Sequence, residues 1–192
     1  DLWVVAPGDG YLGDDREEPG VPPIPNAADQ LESPNRRLVA AFTTDVRACG
    51  GTVASIAPAP APVGSLDGFA GPVRRYFDFM QITGMPRVTS FVARFDGRFR
   101  LRPRSPWMTA QALQCNTSDP ITRVFTMRLS LARVVWMIGH DTYHAGTGRM
   151  IGRLFDRATI VDGSGPELDI GELSTWLNDA VLLAPSMLLT PS

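Results

Sequence analysis

From Arg87 onward, apolar and polar residues alternate with a period of two, the spacing of a half-buried strand. Residues 87–95 and 98–103 flank Asp96-Gly97, a dipeptide suited to a type I′ turn because both central positions need positive φ, so they predict a hairpin. Residues 107–115 predict a third strand, ended by the turn-forming stretch from Asn116 to Pro120. In residues 122–130, Phe125, Met127 and Leu129 fall on one side while Val124, Thr126, Arg128 and Ser130 fall on the other, which predicts a sheet with one buried face. Residues 133–144 and 149–155 predict a further pair around Ala145 to Gly148, and 157–162 a short last strand. Strands in succession joined by short turns form an antiparallel meander rather than a βαβ wind.

Elsewhere the period is that of a helix. Ser33 as N-cap and Pro34 at the first helical position open a segment over 33–48, with Leu38, Val39, Phe42 and Val46 on one stripe and Gly50-Gly51 as its stop. Pro72 opens a short helix through Met80, with Val73, Tyr76, Phe77 and Met80 on one side. Asp169 and Glu172 have the spacing of a capping box and predict a helix over 170–183, its apolar face made by Ile170, Leu173, Trp176, Leu177, Ala180 and Val181. The expected fold class is therefore α+β: a strongly curved antiparallel β-meander, a half-barrel, packed on one or two helices.

Composition adds a boundary. Gly 18 and Pro 17 among 192 residues approach one residue in five, and the prolines crowd the first third. Residues 1–32 carry Asp9, Asp14, Asp15, Glu17 and Glu18 against Arg16, and Ala57 to Val63 alternates Ala with Pro in the manner of a polyproline II spacer. The division expected is a Pro-rich extended arm over 1–65 with one short helix, then a sheet domain over 66–192. No apolar run reaches the ~18 residues of a membrane span. A start at Asp1 without a leader suggests either a processed mature chain or a trimmed one, and an extracytoplasmic location, periplasmic or secreted, is the expectation. Cys49 and Cys115 are the two cysteines, and their pairing is open.

A net charge of −2 gives no long-range attraction for nucleic acid, so any anion binding must be local. All basic residues are arginine, which excludes Schiff-base chemistry and supplies planar forks suited to carboxylate and phosphate. Arg98, Arg100, Arg102 and Arg104 recur at every second position. A solvated outer sheet face explains them without function, an anion-holding face with it, and a third reading lays the acidic segment 9–18 across them. His140 and His144 share a strand face but lack the His-Glu-x-x-His motif; they are read as surface or half-buried histidines rather than metal ligands. Capping and turn formation account for Asp162, Glu167, Asp169 and Glu172, and no nucleophile with a base is evident. Trp107, Trp136 and Trp176 either fill a core or line an apolar groove.

Gly71-Pro72-Val73-Arg74-Arg75-Tyr76, Gly97-Arg98-Phe99-Arg100-Leu101-Arg102-Pro103, Gly165-Pro166-Glu167-Leu168-Asp169 and Gly171-Glu172-Leu173 together resemble a bacterial domain family of unknown function, over about residues 66 to 190. The family is in outline similar to lipoprotein-carrier half-barrels, which implies room for an acyl chain. Its pattern continues with further strands beyond Ser192, so closing strands are expected to be missing, and the segment before residue 66 is longer than the resemblance explains. The expected function is a non-enzymatic, extracytoplasmic binding module for a lipid-like or apolar ligand, with Arg98, Arg100, Arg102, Trp107, Trp136 and Trp176 as ligand-binding residues. No catalytic residue, metal or cofactor is assigned. The alternatives are an accessory subunit whose residues 1–65 wrap a protein partner and, after it, a hydrolase.

Overall fold

A computed structural model describes residues 3–5, 35–51, 61–132 and 135–189. Six strands form an antiparallel meander in which each pairs with the next: β2 (Ser90–Phe99), β3 (Met108–Ser118), β4 (Ile121–Leu131), β5 (Val135–His144), β6 (Thr147–Leu154) and β7 (Ala158–Ser164). A short strand, β1 (Trp3–Val5), lies parallel on the outer edge of β2, with Trp3 opposite Val92 and Val5 opposite Arg94. β7 ends the sheet at the other edge, so the sheet is open and not a closed barrel. With helices α1 (Arg36–Ala48), α2 (Gly71–Phe79) and α3 (Pro166–Leu183), the fold is α+β, packed on three helices rather than one or two.

The period-two signal locates every strand from β2 to β7, but it misplaces the first turn. Asp96 and Gly97 lie inside β2, paired with Gln111 and Ala110. Asp96 needs no turn because its carboxylate accepts from Arg94 Nη2 at 3.0 Å and from Gln111 Nε2 across the strands at 3.1 Å. Positive-φ pairs of the kind expected there occur instead at Ala145 (φ 50) and Gly146 (φ 83), between β5 and β6, and at Phe155 (φ 53) and Asp156 (φ 57), between β6 and β7. As a result the arginine ladder is not a strand face. Arg98 is in β2, while Arg100, Arg102 and Arg104 lie in the connection to β3, which closes a turn through Ser105 N–H to Arg102 C=O at 2.9 Å.

The sheet is covered on both faces, not one. Leu38, Phe42 and Val46, one helical turn apart, seat α1 on Leu113 and Val124. The segment expected to be an arm therefore contributes a core helix. Asn35, not Ser33, caps it by accepting from Arg37 N–H at 3.0 Å; Ser33-Pro34, residues 1–2 and 6–32, and most of the Ala-Pro spacer lie outside the described residues. Near its C-terminus, Asp45 Oδ2 accepts from Thr126 Oγ1 at 2.9 Å and lies 2.7 Å from His140 Nδ1. On the opposite face, Trp176 and Ala180 of α3 pack with Phe91, Ala93, Ala184 and Met187. Phe77 of α2 joins Val63, Leu66, Ile82 and Leu189, and Tyr76 ties α2 to α3 by donating to Val181 C=O at 2.7 Å.

Cys49 and Cys115 are both free thiols beside the α1 cluster. Burial, and secondarily Cys49, pushes the Cys115 thiol up to about 11; burial and then Asp45 raise Cys49. Iodoacetamide at neutral pH should therefore modify Cys115 slowly in the native protein and rapidly in denaturant, as read by peptide mass. Phe42→Ala should lower unfolding stability by about 3–5 kcal/mol in a denaturant titration, whereas a helix detached from the domain would show almost no change.

Candidate functional site at the arginine-rich end of the sheet

Strand register draws one row across the sheet. Arg98 of β2 pairs with Thr109, Thr109 with Ser130, and Ser130 with Trp136 of β5, while Phe155 N–H donates to Trp136 C=O at 3.1 Å. The β2–β3 connection, the start of β5 and the β6–β7 turn therefore lie at the same end, which also holds the start of α1. Arg37 and Arg128 place guanidinium carbons 5.1 Å and 5.5 Å from the Trp136 ring centroid, and Phe155 meets that ring edge-on at 6.0 Å. Arg100 stacks over Trp107 at 4.6 Å. Such cation–π contacts hold the guanidinium planes in place.

This end concentrates positive charge. Arg36, Arg37, Arg98, Arg102, Arg104 and Arg157 are exposed there, with Arg100, Arg128 and Arg153 half-buried. Two carboxylates described at the same end are already engaged: Asp96 by Arg94 and Gln111, and Asp156 at 3.8 Å from Arg153. Burial, then the neighbouring Arg37, lowers the Arg128 guanidinium below the ordinary arginine value, the direction expected in a positive local field. Midway along β7, Asp162 pairs with Arg149 at 3.2 Å, and at the opposite end Asp169 Oδ1 accepts from Gly148 N–H at 2.6 Å.

Five of the six expected ligand residues, Arg98, Arg100, Arg102, Trp107 and Trp136, share this end. Trp176 does not. It is a core side chain with 6% exposure, and its Nε1 donates at 2.9 Å to the carbonyl of Thr117, near the other end of the sheet. The three tryptophans therefore do not line one groove, and Trp176 fills the space between α3 and the sheet.

A second polar cluster, which periodicity alone does not reveal, lies under α3. Arg123 of β4, 7% exposed, donates through Nη1 to Glu172 Oε2 at 2.8 Å and through Nε to Asp179 Oδ2 at 2.9 Å. Gln114 Nε2 donates to the same Asp179 oxygen at 2.6 Å and to Asn116 Oδ1 at 3.1 Å. Glu172 and Asp179 are seven residues apart, two turns on one helix face, and that spacing is the signal for the cluster. The capping box expected at Asp169 and Glu172 does not form. Gly165 is the N-cap, and both acidic side chains turn to the sheet. Gly148 permits this approach, since a Cβ there would sit 2.7 Å from Leu168 C=O. His144 Nδ1 lies 3.0 Å from Thr122 Oγ1, on the same sheet face as His140.

Sheet, helices and polarised ends together define an open-sheet α+β protein with a basic, tryptophan-bearing end. The chain belongs to a family of unknown function, DUF6544, whose model matches residues 64–192. No curated protein and no solved structure matches it.

Asp141, beside Arg123, and Glu172 are both raised, each chiefly by burial and less than burial alone would give because Arg123 opposes it. A raised folded value means the stability these groups contribute is full below the unfolded value, ~3.9 for aspartate, and is lost as pH rises through the folded one. Asp141→Asn should accordingly raise the melting temperature at neutral pH. That gain should shrink steadily as pH is lowered towards 4, which a pair of calorimetric pH series would test.

Proposed function

We propose that this protein is a non-enzymatic binding module, acting outside the cytoplasm, that holds a lipid-like ligand by its anionic headgroup at the arginine-rich end of the sheet. The observation that carries this reading is the row from Arg98 to Trp136, which gathers guanidinium forks and indole rings from separate strands at one end. Arginine forks match phosphate oxygens two at a time, and an indole beside them suits the boundary between a polar head and an acyl chain. The interior under α3 is a poorer candidate for the ligand because Trp176, Ala180 and Met187 fill it.

An accessory-subunit role is a second reading, favoured by a different observation. The outward side of α3 exposes Ile170 (67%), Leu173 (38%) and Leu177 (48%), an apolar stripe of the kind partner proteins cover.

Titration with monomeric, short-chain phosphatidylglycerol, followed by calorimetry, tests the leading reading. A charge-assisted hydrogen bond contributes about 1.5–3 kcal/mol, so Arg100→Gln or Arg102→Gln should weaken binding ~10-fold or more. Arg149→Gln, at the other end of the sheet, should leave it unchanged. Equal losses in all three variants, or no binding by the wild type, would remove the support for this site.

A further inference from the structure

Resting on that headgroup reading, we infer that the arginine-rich end is a docking face for an anionic bilayer, and that it meets the membrane through three connections at once. The row from β2 to β6 crosses four interstrand steps, ~19 Å at the usual strand spacing. A basic strip of that width faces several headgroups of a surface rather than one phosphate.

The same connections carry exposed apolar side chains. Phe99 (36%), the last residue of β2, and Leu101 (63%) flank Arg100, Val135 (43%) begins β5, and Phe155 (42%) lies in the β6–β7 turn. They alternate with the exposed Arg102, Arg104 and Arg157 and with the half-buried Trp107 and Trp136. Arginine, tryptophan and isolated large apolar residues on one rim are what the headgroup–acyl boundary rewards, because each finds its own layer there. A nucleic acid would reward the arginines and the rings but gives Leu101 and Val135 nothing to enter. Asp162, midway along its strand, is already paired with Arg149, and Asp169 is bonded to the Gly148 N–H, so the attraction for an anionic surface rests on the rim's own arginines and not on the net charge of −2. Attraction of this kind acts within ~10 Å at 0.1 M salt, which makes the local rim decisive rather than the total charge.

Co-sedimentation of the full chain with vesicles of equimolar phosphatidylglycerol and phosphatidylcholine, beside pure phosphatidylcholine vesicles, tests this. Binding is expected to the anionic vesicles alone and should fall sharply in ~1 M salt. Arg102→Gln/Arg104→Gln should weaken it ~25-fold, at roughly fivefold per surface arginine. Leu101→Asn should weaken vesicle binding several-fold while leaving monomeric short-chain phosphatidylglycerol binding intact. All three positions are exposed in a connection, so circular dichroism should be unchanged. If monomeric lipid binds and vesicles do not, docking is overturned while the headgroup reading stands; if neither binds, both fall. Vesicle binding indifferent to these variants, or displaced by a single-stranded polynucleotide that binds equally well to Leu101→Asn, also overturns it.

Discussion

The guanidinium of Arg123 is the constraint on which the arrangement of this molecule depends. A buried cation on a central strand must be neutralised, and among the described residues the element that packs above it is α3, which answers with Glu172 and Asp179 two turns apart. Separating a buried pair by removing one partner typically costs ~3–5 kcal/mol, so the helix has little freedom to rotate once both carboxylates are engaged. Gln114 and Asn116 join Arg123 in donating to the same Asp179 oxygen, Oδ2. This charge clamp, more than the apolar stripe, sets which side of α3 faces the sheet.

Much follows from that rotation. Trp176 and Ala180 share the face of Glu172 and Asp179 and are carried inward, where they fill the space against Phe91 and Ala93. Ile170, Leu173 and Leu177 are turned out. With α1 on the opposite face, held by Leu38, Phe42 and Val46 and by the bonds of Asp45 to Thr126 and His140, the middle of the sheet is covered on both sides. Among the described residues, the ends of the strands and the edge at β7 remain accessible. One of those ends is the place where register gathers arginine and tryptophan from separate connections, which is why ligand chemistry is sought there rather than in the interior.

Strand alternation, helix stops and the turn-rich breaks between them made the meander legible before any coordinates, because each is a local signal of backbone geometry. What was not legible depended on partners far apart in sequence. Asp96-Gly97 reads as a turn until Gln111 and Arg94 are found bonding the Asp96 carboxylate within a paired strand. Asp169 and Glu172 read as a cap until Gly148 and Arg123 claim them. The apolar positions of α3 read as one buried face until Arg123 draws Glu172 and Asp179 inward, which buries Trp176 and Ala180 and leaves Ile170, Leu173 and Leu177 exposed. Of the residues expected at the site, Arg98, Arg100, Arg102, Trp107 and Trp136 lie at one end of the sheet, though not on the strand face expected for the arginines. Their true link is the register row that no stretch of sequence displays.

Hydrogen–deuterium exchange with and without anionic vesicles tests most directly the claim that α3 stays clamped while the end of the sheet does the binding. Exchange is expected to slow in residues 98–107 and 153–157 and to remain unchanged through Pro166–Leu183. Altered exchange along α3 and the following turn, with residues 98–107 unaffected, would mean that the helix lifts to admit ligand beneath it, and would contradict both the clamp and the site.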